Sequence, residues 1–165
     1  MSEAALTVMG RGIFPVIFKT PGGKSIVFWV SELQVPAKSG SLGILDGRRP
    51  VVSSLEDGVV RLKTGAGWKA VFTSGAVLRA LKPFSVYPEV LRTYRVTVII
   101  YSARQLIDLS ELDEDAVREE YALASSEDAL AITYRKKLIA EKRFKRAKAK
   151  MYAFQNAEAA LTGFV

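Results

Sequence analysis

The chain has 165 residues, 49% of them hydrophobic and 25% charged, with a formal net charge of +7, which suits one domain with its own core plus a small appendage. Cysteine and histidine are both absent, which excludes disulfides, thiolate nucleophiles, Cys- or His-ligated metals and His-based triads and argues against catalysis. The longest apolar run, Ile26–Val30, spans five residues, where a membrane-crossing helix needs roughly 20, and Met1–Gly12 shows no presequence-like apolar core.

Residues 1–12 read as an N-terminal extension. Turn signals then recur at short intervals: Pro21-Gly22-Gly23, Ser39-Gly40, Asp46-Gly47, Asp57-Gly58, Gly65-Ala66-Gly67 and Ser74-Gly75. Short β-rich runs lie between them, the pattern of an antiparallel sandwich or barrel. Strands are expected at Ile13–Lys19, Ser25–Val35 and Ala76–Leu81. Period-two alternation marks Val60 and Leu62, then Trp68, Ala70 and Phe72, then Val96, Val98 and Ile100. Such alternation buries one face of each strand against a second sheet. Pro15 lacks an N–H for the ladder and is expected on an edge or at a bulge. Phe84–Tyr94 reads as a long connection.

Gly and Pro then stop: every Pro lies at or before Pro88, and no Gly occurs between Gly75 and Gly163. The sequence therefore predicts a β-sandwich domain over 13–106 followed by an antiparallel two-helix hairpin over 107–165. Ser110 is the expected cap of the first helix, with Glu111, Asp113, Glu114 and Asp115 in its first turns, where the helix dipole favours acids. That helix should end near Ala124. Ser125 and Ser126, with Asp128 completing a capping box, should start a second helix running to about Ala160. Leu130, Tyr134, Leu138, Phe144, Ala147, Met151, Phe154 and Leu161 form its expected apolar stripe, interrupted at Glu141.

The charge of this tail is segregated. From Asp108 to Asp128 nine acids face one base, Arg118; from Arg135 to Lys150 nine bases face one acid, Glu141. A short loop implies antiparallel packing, which sets the acidic helix against the basic one. Glu114, Glu119 and Glu120 are the expected partners of Lys142, Arg143, Lys145 and Arg146. Exposed ion pairs contribute roughly 0–1 kcal/mol each, so these charges select register while the apolar stripe holds the hairpin together.

The segment Val35-Pro36-Ala37-Lys38-Ser39-Gly40-Ser41-Leu42-Gly43-Ile44-Leu45-Asp46-Gly47-Arg48-Arg49-Pro50 resembles the signature loop of the small central-stalk subunit of F-type ATP synthases. That subunit is called epsilon in bacteria and plastids and delta in mitochondria. Leu55–Leu62 and Ser74–Val77 are similar to the family's next strands, and Val96–Ala103 with Ile107-Asp108 to its last strand and exit to the helices. The family's usual His is Arg48 here, and the turn Lys38–Leu42 is closer to the mitochondrial form. The resemblance implies a non-catalytic rotor subunit with no cofactor and no bound metal. Its sandwich would bind the foot of the gamma subunit and rest on the c-ring, coupling proton flow to ATP synthesis. It also implies that Lys38, Ser39, Gly40, Ser41, Leu42 and Arg48 face the ring, and that a mitochondrial complex would add the small epsilon subunit as a partner. The implied location is peripheral, on the matrix side of the mitochondrial inner membrane, the alternatives being a bacterial plasma membrane or a plastid thylakoid. Some bacterial members hold ATP on the hairpin, and Arg143 and Arg146 are cations suited to that. The aromatics Phe28, Trp29, Trp68 and Phe72 are expected in the core or on a gamma-facing surface.

The competing function is a nucleic-acid-binding sandwich with a basic helical tail, invited by a pI near 9.7. The acidic helix supplies counter-charge within the same chain, and no RRM, KH or OB-type aromatic motif is present. A carboxylate-based hydrolase is the remaining enzymatic alternative.

Overall fold

The computed structural model describes residues 12–20, 22–82, 96–108, 113–131 and 133–155. Eight strands precede two helices: β1 (Phe14–Lys19), β2 (Ser25–Val30), β3 (Glu32–Ala37), β4 (Gly40–Leu45), β5 (Val51–Ser54), β6 (Gly58–Thr64), β7 (Gly67–Leu81), β8 (Thr97–Asp108), α1 (Glu114–Leu130) and α2 (Tyr134–Gln155). The strands form one continuous sheet in the order β2-β1-β8-β7-β6-β3-β4, with β5 added to β7. It folds over on itself into a sandwich. One layer is β2-β1-β8-β7-β5, where Ala76–Leu81 of β7 pairs with Ser102–Thr97 of β8 and Ala80–Val77 pairs with Val51–Ser54 of β5. The other is β4-β3-β6-β7, completed by the second half of β8.

Inward positions follow the period-two pattern. Phe14, Val16 and Phe18, Leu33 and Val35, Val60 and Leu62, Leu78 and Ala80, and Val98 and Ile100 fill the space between the layers. Most of these side chains are fully buried, and each Val, Leu, Ile or Phe among them contributes roughly 1.5–3 kcal/mol of transfer free energy.

Four expectations change in the β region. Ser25–Val35 is two strands, because the chain bends at Ser31 to cross from one layer to the other. Ser74-Gly75 is a bulge inside the 15-residue β7, with Gly75 at φ 63, a conformation that glycine adopts without a Cβ penalty. Pro15 lies in an interior strand. It is tolerated there because pairing with β8 begins only at Val16, so no ladder donor is missing on that side. The sheet exit also runs on, since β8 continues through Asp108.

The helices differ too. Asp113 caps α1 by accepting from the Asp115 amide (3.2 Å), and the helix continues through Ser125 and Ser126 to Leu130. Ser126 donates to the Leu123 carbonyl (2.8 Å), so it is bonded inside the helix instead of starting the next one. Among the described residues the expected stripe holds only from Phe144 to Phe154, and Leu161 lies outside them. Tyr134 and Leu130 are 82% and 76% exposed, while the buried residues of α2 are Ala140, Ala147, Lys150 and Ala153. The Ser110 cap, the connection Phe84–Tyr94 and the helix end at Ala160 lie outside the described residues.

Replacing Val98 and Ile100 together by Asp should abolish cooperative thermal unfolding, since both would bury unpaired charge. Ile100→Ala alone should cost about 2–5 kcal/mol in denaturant titration.

Candidate interaction surfaces

Three surfaces are built on this frame. The first is the tip of the β3–β4 hairpin. Ala37 pairs with Gly40, leaving Lys38 and Ser39 as a two-residue turn, and Gly40 at φ 116 absorbs the reversal. Lys38, Ser39, Gly40 and Ser41 are exposed and Leu42 is half-buried against the core. Arg48, also exposed, sits in the next turn, where its amide donates to the Leu45 carbonyl (3.1 Å). The turn thus projects polar side chains while Leu42 anchors it to the body.

The second surface is the outward face of the β2-β1-β8-β7-β5 layer. Register places Val27, Ile17, Ile99, Arg79 and Val52 side by side across five strands. Val77 and Tyr101 are cross-strand neighbours in the adjoining row, where Lys19 lies 6.0 Å from the Tyr101 ring. Val52 is 65% exposed and Val27 49%. A largely apolar sheet face left open to water on a monomer marks a contact surface. The alternating pattern of the strands hid it, because period two was visible while the outward apolar residues read as part of the same β-rich runs. Trp29 belongs to the margin of this face, half-buried and opposite Pro15. Phe28, by contrast, packs on the core. Trp68 lies on the other layer's outer side under the Arg61 guanidinium (4.9 Å), and Phe72 is fully buried beneath α2.

The third surface is the helical hairpin and its charges. Two ion pairs cross between the helices: Lys150 donates to Glu120 (2.6 Å) and Arg143 to Glu127 (2.9 Å). The acids are seven residues apart on α1 and the bases seven apart on α2, running oppositely. One antiparallel register therefore satisfies both pairs and brings Tyr121 against Phe144 (5.6 Å between rings). Glu120 and Arg143 take part as cross-helix members, with Lys150 and Glu127 as their partners. Glu114 instead pairs with Arg118 within α1, and Lys145 with Glu141 within α2. Arg146 turns to the sandwich, 3.8 Å from Asp57. Glu119 and Lys142 are exposed and make no ion pair among the described residues. The block-charge pattern foretold the pairing of helices but not which residues meet, because that depends on where the turn falls.

The hairpin touches the sandwich through small residues: Ala149 and Ala153 of α2 lie against Ala70, Phe72, Val59 and Ile107. Among the described residues no group of three His, Cys, Asp or Glu could hold a metal ion, and no helix is long and apolar enough to cross a membrane.

A β-sandwich carrying an exposed apolar face and a docked helical hairpin defines a binding subunit class, and comparison with known proteins specifies it. Residues 14–83 match the family model of the ATP synthase delta/epsilon chain β-sandwich domain. The chain is 32% identical to the ATP synthase epsilon chain of Priestia megaterium over 111 residues, 66% of this chain and 75% of that one. It is 34% identical to the epsilon chain of Bacillus thuringiensis over 112 residues, 67% and 76% of the two chains. It is also 28% identical to the chloroplastic epsilon chain of Adiantum capillus-veneris over 130 residues, 77% and 88%. In structure it resembles a chain of the Euglena gracilis mitochondrial ATP synthase assembly of OSCP, F1 and c-ring. The TM-score is 0.67 at 14% identity, covering 88% of this chain and 82% of that one, a likeness of fold. The protein belongs to the ATP synthase delta/epsilon family.

Glu120→Ala should loosen the hairpin by about 1–2 kcal/mol, because it leaves the buried Lys150 ammonium without its partner. Glu119→Gln should stay within about 0.5 kcal/mol, since Glu119 is exposed and makes no ion pair among the described residues. Hydrogen exchange over Glu114–Leu130 reads both.

Proposed function

We propose that this chain is the non-catalytic central-stalk subunit of a proton-translocating F-type ATP synthase, turning with the rotor and linking the gamma subunit to the c-ring. The observation that supports it most directly is the open apolar face of Val27, Ile17, Ile99, Tyr101 and Val52 on a sandwich whose core is already complete. Such a face needs a partner, and gamma is the partner we assign to it. The polar turn Lys38–Leu42 with Arg48 is assigned to the ring: it presents ammonium, hydroxyl and guanidinium groups suited to polar loops without exposing more of the apolar body.

Mechanically, the two sandwich layers share β7 and β8, so a load applied at the turn is carried by continuous strands and their hydrogen bonds to the opposite face. No covalent step is required of any residue. The subunit is peripheral at the membrane that holds the ring. We place that membrane in the mitochondrion, on the matrix side, on the form of the turn. The small epsilon subunit of such a complex is then a further partner.

A nucleic-acid role finds no support. The bases Arg143, Arg146 and Lys150 are met by Glu127, Asp57 and Glu120, and the relatives are ATP synthase chains.

Purification of the tagged chain from detergent-solubilised membranes should recover gamma and the ring subunit. Val27→Asp with Ile99→Asp should lose gamma while thermal unfolding stays cooperative, because both positions face outward. Recovery of the chain without stalk partners would refute the proposal, and retained gamma in the double variant would refute the assigned face.

A further inference from the structure

The connection between β5 and β6 has two faces. Its backbone supports the β3–β4 turn: the Lys38 amide donates to the Ser54 carbonyl (3.2 Å), the Glu56 amide donates to the Pro36 carbonyl (2.7 Å), and Ala37 bridges to Leu55. Gly58 lies so close to Pro36 that an added Cβ would stand 3.3 Å from its ring. The Asp57 side chain meanwhile holds the β7 bulge and the hairpin together. Its Oδ1 accepts from the Gly75 amide (2.9 Å), and its Oδ2 lies 3.8 Å from Arg146 Nε, with both side chains mostly buried at 24% and 21% exposure.

Between these faces is a cleft of about 500 Å³ lined by Lys38 of the turn, Glu56 and Asp57 of the connection, and Lys142 and Lys145 of α2. Lys145 shares its charge with Glu141 on its own helix (3.0 Å). Two carboxylates therefore stand between cations from two different elements. Lys38 belongs to the turn, and Arg146, Lys142 and Lys145 belong to the hairpin.

We infer that Glu56 and Asp57 are a shared counter-charge that couples hairpin docking to the position of the turn. While α2 is docked, its cations occupy the acids, and Lys38 faces like charge across the cleft and is favoured pointing outward. When α2 leaves, Lys38 is the remaining cation lining the cleft, and the acids draw it inward. Drawing Lys38 outward onto an external surface correspondingly leaves the acids to the hairpin. Coupling of this kind is reciprocal, so engagement of the turn and docking of the hairpin favour each other. Its meaning for a rotor rests on the ring-facing assignment above, but the coupling itself is a property of the isolated chain.

Hydrogen exchange of the full-length chain at low salt, without partners, tests it. Arg146→Gln should speed exchange over α2 roughly two- to fivefold, the effect of losing a partly buried ion pair. Lys38→Gln should slow exchange over α2 roughly twofold, because it removes the competing cation, and this protection should vanish in an Asp57→Asn background and shrink with added salt. A purely structural lysine would loosen the chain or leave it unchanged, so slowed exchange is specific to the proposal. Unchanged α2 exchange in Arg146→Gln overturns the latch. Unchanged or faster α2 exchange in Lys38→Gln overturns the coupling. Thermal unfolding of each variant identifies any loss of fold, in which case Lys142→Gln, which leaves the latch intact, is substituted and should raise α2 exchange; no rise overturns the proposal. None of these results depends on recovering stalk partners, so failure here is distinct from failure of the rotor assignment.

Discussion

The bulge in β7 is the constraint on which the molecule depends. A straight strand of 15 residues would hold a single flat layer; with Gly75 at positive φ, the strand turns and serves both layers of the sandwich. Asp57 fixes that kink by accepting from the Gly75 amide, so the bend is tied to the neighbouring connection and not left as a hinge. Because β8 follows β7 through the same bend, the layers are joined by two covalent strands and a nearly continuous ladder. Shear between them would have to break backbone hydrogen bonds along both. A sandwich joined only by loops would resist such sliding by side-chain packing alone, which is softer.

The hairpin is organised on opposite terms. Among the described residues its contact with the body is made chiefly by Ala149 and Ala153 against Ala70, Phe72, Val59 and Ile107, together with one partly buried ion pair. Alanine lets helix and sheet approach closely but removes little apolar surface from water per residue. Its internal adhesion is likewise modest: Val117, Ala124, Ala140 and Ala147 are buried, while Leu130, Tyr134, Leu138 and Ile139 near the helix–helix turn stay open. Stability is thus graded from a closed β core to a lightly held pair of helices, the arrangement expected where one part must stay fixed and the other must respond.

The β half was readable because its code is redundant. Period two, Gly-containing turns and β-branched runs all point the same way around Val96–Ile100 or Val60–Leu62, and the order of segments resembling the delta/epsilon family agreed with them. What escaped was decided by tertiary contacts. Ser74-Gly75 carries the residues of a turn, and only the Asp57 carboxylate and the pairing of β8 on both sides make it a bulge. Ser125 and Ser126 are good caps in isolation, yet continuing α1 to Leu130 places Glu127 opposite Arg143, and the hydroxyl of Ser126 is satisfied inside the helix. The charge blocks told which helices meet; the register set by helices ending at Leu130 and starting at Tyr134 decided that Lys150, the last base of the block, is the buried one.

The net charge of +7 is not spread evenly along the chain. In the helical tail the bases that matter structurally are consumed by acids of the same chain, and Asp57 of the sandwich consumes one more. The excess positive charge therefore resides in the β half, on residues such as Lys38, Arg48, Lys19 and Arg79. These are spread over two turns and the apolar sheet face, where Arg79 stands between Ile99 and Val52, instead of lying in one stripe. Nucleic-acid binding requires cations concentrated along a path that follows phosphates. Cations scattered around an apolar patch orient a protein partner and discourage wrong ones, since each must find its counter-charge at a fixed place. A basic chain can thus be built for fixed protein contacts, and the position of its unpaired charges, more than their number, identifies which.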